Sequence, residues 1–110
     1  MEVKKSDWKL YRAKIDGWQE NYMARLCREY ISLLQGEMAP SERFWTLEAR
    51  IKEDRRRPGV YIELNKGNMI FDLVRLIQEE VITPDDLSEF SEELQESVKL
   101  FLDRFSNYPD

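Results

Sequence analysis

The sequence predicts an all-α protein, a compact bundle of about five helices. Apolar residues recur at intervals of three and four along most of the chain, Gly and Pro fall between those periodic stretches, and only one short segment alternates like a strand. At 110 residues the chain suits a single domain spanning 1–110, and folding can bury roughly 60–70% of its unfolded surface.

Residues 7–35 carry the clearest pattern. Trp8, Tyr11, Ile15, Trp18, Tyr22, Leu26, Tyr30 and Leu33 fall in a stripe about 100° wide on a helical wheel. Gly36 follows the last apolar turn and supplies a stop. Asp16 and Gln19 have the spacing of a capping box that would split the helix at Gly17. The stripe keeps its phase across Gly17, so one continuous helix is expected.

Ser41 is a suitable N-cap for a second helix, with Phe44, Leu47 and Ile51 on one face and an end near Arg56, before Pro58-Gly59. In 60–68, Val60, Ile62 and Leu64 alternate with Tyr61 and Glu63. No second strand is evident to pair with them, so 60–64 is read as helical and 65–68 as a bend, with Asn68 capping the next helix. The alternative is an extended segment paired across a dimer. Residues 69–81 form a helix that is apolar around much of its circumference, as expected of a central element. Thr83-Pro84-Asp85-Asp86 opens one short turn up to Phe90, and Ser91 caps a last helix bearing Leu94, Val98, Phe101, Leu102 and Phe105. Residues 106–110 read as a frayed tail. Phe101 is expected in the core, where truncation to alanine costs about 3–5 kcal/mol.

Composition narrows the chemistry. No apolar run approaches the roughly 18 residues of a membrane span, and the start lacks a signal-peptide stretch, so a cytoplasmic protein is expected. Cys27 is the one cysteine, which allows neither an internal disulfide nor a thiolate zinc site. With no histidine, Ser-His and Cys-His catalysis are excluded, as is any His-ligated metal. No catalytic motif is recognisable, and neither an enzyme nor a cofactor is expected.

Charge is unevenly distributed. Residues 1–57 carry 13 Lys+Arg against 10 Asp+Glu, and residues 58–110 carry 4 against 12, within a net charge of −5. The two halves are expected to attract each other, either within the chain or across a dimer. The densest basic run is Arg50–Arg57, with Arg50, Arg55, Arg56 and Arg57 beside Trp45. A nucleic-acid interface there would pair phosphate-binding cations with a stacking aromatic. Glu53 and Asp54 interrupt the run and the whole chain is acidic, so nucleic acid is the weaker reading. Trp45 lies at the edge of the apolar face beside arginines, the composition of an interface hot spot. Glu89, Glu92, Glu93 and Glu96 have the three- and four-residue spacing of carboxylates that bind magnesium in small helical nucleotide pyrophosphatases. They lie mostly away from the last helix's apolar stripe, and a solvated acidic face is the preferred account.

The segments WKLYRAKIDGWQENYMARL, SERFWTLEARIKEDRRRPGV and NMIFDLVRLIQEEVITPDDLSEFSEEL resemble a group of small proteins from Gram-positive bacteria that carry no assigned function. The resemblance implies a bacterial cytosolic protein and transfers no active residue. The leading expectation is therefore a small helical protein that binds another protein or itself as a homodimer. A carboxylate-based hydrolase and an Arg50–Arg57 nucleic-acid binder stand as alternatives.

Overall fold

The computed structural model describes residues 2–106. Among them are four α-helices and no strand: α1 (Lys5–Leu34), α2 (Pro40–Asp54), α3 (Met69–Gln78) and α4 (Glu92–Ser106). Single 3₁₀ turns at Lys66–Asn68 and Pro84–Leu87 precede α3 and α4. The helical class is as expected, with four helices rather than about five. Among the described residues, no helix is long and apolar enough to cross a membrane. Most of the expected tail over 106–110 lies outside the described residues.

α1 runs unbroken through Gly17, where a side chain would meet only open space. The stripe therefore keeps its phase, and the Asp16 capping option is not used. α2 starts two residues earlier than a Ser41 N-cap would set it. Ala39 is its N-cap and Pro40 takes the first helical position, where a fixed φ and a missing N–H cost nothing. Ser91 caps α4 as expected, its Oγ accepting from the Leu94 N–H at 3.2 Å.

The helical reading of 60–64 is corrected. Pro58 and Gly59 end the α2 region, the Val60 and Tyr61 N–H groups both bond to the Arg57 carbonyl, and 61–65 continue without regular structure. The alternation there marks a strap. Ile62 packs against the core while Tyr61 and Leu64 face solvent. Asn65 caps the adjoining 3₁₀ turn, its Oδ1 accepting from the Gly67 N–H at 2.8 Å, and Asn68 makes no side-chain cap.

α3 ends at Gln78 rather than residue 81. The chain turns there through Glu80, whose φ of 61° lies in the left-handed region. The Val81 N–H bonds to the Leu76 carbonyl and that of Glu80 to the Ile77 carbonyl, the pairing that usually selects glycine at this position. Arg25 donates to the Glu80 carbonyl at 3.0 Å, so α1 braces the turn.

The core gathers Tyr11 and Ile15 of α1, five residues of α3, Ile82, Leu87 and Phe90 of the connector, and Leu94 and Val98 of α4. α3 is the central element that its wide apolar face predicted: Met69, Leu73 and Leu76 are fully buried. Phe101 is half-buried at the rim, between exposed Phe71, tilted against it at 5.1 Å, and exposed Phe105, stacked at 6.2 Å, so it is not the deep core residue expected. Asp7 ties the first turn of α1 to α4 by accepting from the Ser91 N–H at 2.9 Å and the Ser91 Oγ at 2.6 Å.

This core occupies only one end of α1. Thirty residues at 1.5 Å each give a helix about 45 Å long, and its C-terminal part leaves the core and packs along α2. The result is a helical arm. The radius of gyration is 16.7 Å, above the roughly 13 Å expected for a sphere-like chain of this length, and the extents are 52 × 34 × 22 Å.

Candidate interaction surface

The arm is built from two periodic stripes on α2. Arg43, Leu47, Arg50, Asp54 and Arg57 repeat at intervals of four and three, and this polar stripe is the one that faces α1. Arg43 reaches the Leu34 carbonyl, and Arg50 bonds Glu29 at 3.1 Å. Asp54 is buried and accepts from Tyr30 Oη at 2.5 Å and Arg57 Nε at 3.2 Å. Arg57 also bonds Glu79 at 3.1 Å, which joins α2 to the end of α3. Burial and the bond to Asp54 push the Tyr30 phenol up to about 12. Gln19 bonds the Pro58 carbonyl, and Gly59 lies flat on the Tyr22 ring, where a Cβ would fall well inside van der Waals contact with the ring carbons. Glycine is required at 59 by that close approach.

The second stripe is apolar and faces outward. Phe44 is 62% exposed, Trp45 64% and Ile51 44%. Phe44 and Trp45 meet edge to face at 4.9 Å. Phe44, Leu47, Glu48, Ile51, Lys52 and Arg55 line a shallow groove of about 320 Å³. Phe44, Leu47 and Ile51 share one side of α2 as expected, but Phe44 and Ile51 turn away from the face that meets α1. Arginine and aspartate side chains that bond across to α1 take that face instead.

The basic run separates into two roles. Arg50 and Arg57 are held in internal ion pairs with Glu29, Asp54, Glu53 and Glu79, so they do not form a phosphate-binding row with their neighbours. Arg55 and Arg56 are exposed and have no ion-pair partner among the described residues. Trp45 stands in the open, where the sequence placed it.

The four glutamates of the magnesium reading are not brought together around one point. Glu89 pairs with Lys14 at 2.6 Å and Glu93 faces Lys4 at 3.8 Å, while Glu92 and Glu96 face solvent. Among the described residues, no group of three acids or cysteines could hold a metal ion. These pairs, with Arg57–Glu79, join the basic half of the chain to the acidic half. Cys27 is exposed on the arm.

One buried acid lies outside this scheme. Asp72 is 7% exposed, its Oδ2 has no hydrogen-bond partner, and burial pushes its carboxyl up to about 6 against an opposing pull from Arg75. The Tyr11 hydroxyl, also buried and unpartnered, is pushed up by burial and by the Asp72 charge.

Sequence reasoning missed Tyr30, Asp54 and Glu79 as a hub, and Asp7 as the clasp on α4. The heptad spacing of Arg43, Leu47, Arg50, Asp54 and Arg57 was a readable signal for the hub. Nothing local signals the clasp, which spans 84 residues. Compared with family models, curated proteins and solved structures, the chain matches none.

Proposed function

We propose that this chain is a protein-binding module that docks its partner on the outer face of the α2 arm. The observation that carries the reading is the exposed set Phe44, Trp45 and Ile51, flanked by Glu48, Lys52 and Arg55, which find no ion-pair partner among the described residues. Large aromatic side chains beside arginine dominate binding energy at protein interfaces, and a contiguous apolar patch is rare on a surface with no partner. The lone cysteine accords with a reducing, cytosolic setting.

Affinity capture from the native host, run in parallel with variants, tests this. The wild-type chain retains a partner, Phe44→Ala and Trp45→Ala lose it at least tenfold, and Phe105→Ala at the opposite end keeps it. Equal retention by all four chains overturns the reading.

A further inference from the structure

We infer that the occupant of the arm's outer face is a second copy of this chain, seated antiparallel so that two arms close a four-helix bundle. The inference rests on the docking reading above and supplies its partner.

The two flanks of the arm differ. Glu29 and Arg50 bond across one flank. On α1, Cys27 and Ile31 each sit about 160° around the helix from Glu29, and on α2, Phe44 and Ile51 sit about 100–120° from Arg50. Cys27 and Ile31 therefore share the other flank with Phe44 and Ile51, and all four are exposed. A two-helix layer with one apolar flank is half of a four-helix bundle.

The ionic groups on that flank are self-complementary. Glu48, Lys52 and Arg55 have no ion-pair partner among the described residues, although Glu48 and Lys52 are one turn apart. An antiparallel two-fold axis level with the Ala49–Arg50 turn sets Glu48 beside the partner's Lys52, Leu47 beside the partner's Ile51, and Phe44 beneath the partner's Arg55. One register meets all three pairings, and symmetry makes each of them twice. A uniformly acidic partner would satisfy Lys52 and Arg55 but set its charge against Glu48.

The scale also fits. Arms overlapping along α2 share about 22 Å of length and about 20 Å of width, a footprint of roughly 440 Å² per copy, the size of a weak, concentration-dependent interface. The level of the axis on α1 is close to Glu29, which Arg50 bonds, so the core-bearing ends of the two α1 helices lie on opposite sides of it.

Sedimentation equilibrium of the purified full-length chain, from about 1 to about 300 µM, reads the outcome. The mass rises from 13.3 kDa toward twice that value across the range. Phe44→Glu and Ile51→Glu, each checked for helicity by circular dichroism, hold it at the single-chain mass with at least tenfold weaker association. Glu48→Lys and Lys52→Glu each weaken association about threefold or more, and the double variant returns it to within twofold of wild type. That rescue is the signature of the antiparallel register, and it decides the matter even if a glutamate variant fails to fold. A wild-type mass fixed at that of one chain at the highest concentration overturns the inference. So does a dimer indifferent to both glutamate variants, or one that the double charge exchange does not restore. A single-chain mass combined with Phe44-dependent capture of a different protein sinks the second-copy assignment and leaves the docking face standing.

Discussion

α3 and α2 carry apolar stripes of similar regularity and meet opposite fates. On α3, Met69, Leu73, Val74 and Leu76 are at most 1% exposed, whereas on α2, Phe44 and Ile51 are 62% and 44% exposed. The difference lies in the neighbours. α3 is surrounded by α1, α4 and the connector, so its apolar surface leaves water on folding. α2 packs mainly along α1 and meets it through Arg43, Arg50 and Asp54, which leaves its apolar stripe outside. Helical periodicity shows that a face exists, but the number of packing neighbours decides whether that face becomes core or contact surface.

The contrast is broken most sharply at α3. Leu73→Ala opens a cavity in a fully buried site and costs about 3–5 kcal/mol in chemical denaturation. A loss below about 1 kcal/mol would mean that α3 is not the centre of the core.

A second change tests whether charge rather than oil holds the arm. Asp54→Ala strands the Tyr30 hydroxyl and one donor of Arg57, and costs about 2–3 kcal/mol by the same measurement. An unchanged denaturation midpoint would show that Leu47 and its neighbours carry the α1–α2 contact alone.

The third prediction concerns pH. Because folding raises the Asp72 carboxyl to about 6, its stabilising contribution is full below pH 4 and is lost as pH rises through 6. Asp72→Asn removes that penalty. It is more stable than wild type by about 1–2 kcal/mol at pH 7, once screening by solvent and Arg75 is allowed for, and the difference shrinks toward pH 4. A difference independent of pH between 4 and 7 would contradict the assignment.

Much of the fold was legible. The unbroken α1 stripe, the Ser91 cap and the central role of α3 all follow from periodicity and end-capping chemistry. The strap at 60–65 was not, because Val60, Ile62 and Leu64 satisfy a strand rule and, more weakly, a helix rule, while Gly59 against Tyr22 decides the path through a contact between residues 37 positions apart. In the candidate surface, the exposure of Trp45 accords with its place at the edge of the apolar face beside arginines. Phe44 and Ile51 are legible only as one face of the helix, because periodicity marks a stripe but not what covers it. The charged stripe that displaces them was present at equal regularity, and only its bonds to Glu29, Tyr30 and Leu34 show which stripe faces α1.

The central claim is that the outer face of α2 is surplus to folding. Its most direct measurement is the unfolding free energy of Phe44→Ala in dilute solution, below the concentration at which copies associate. The account predicts a value within about 0.5 kcal/mol of wild type, as for an exposed residue that folding does not bury. A loss of about 3 kcal/mol or more would place Phe44 in the core and contradict it.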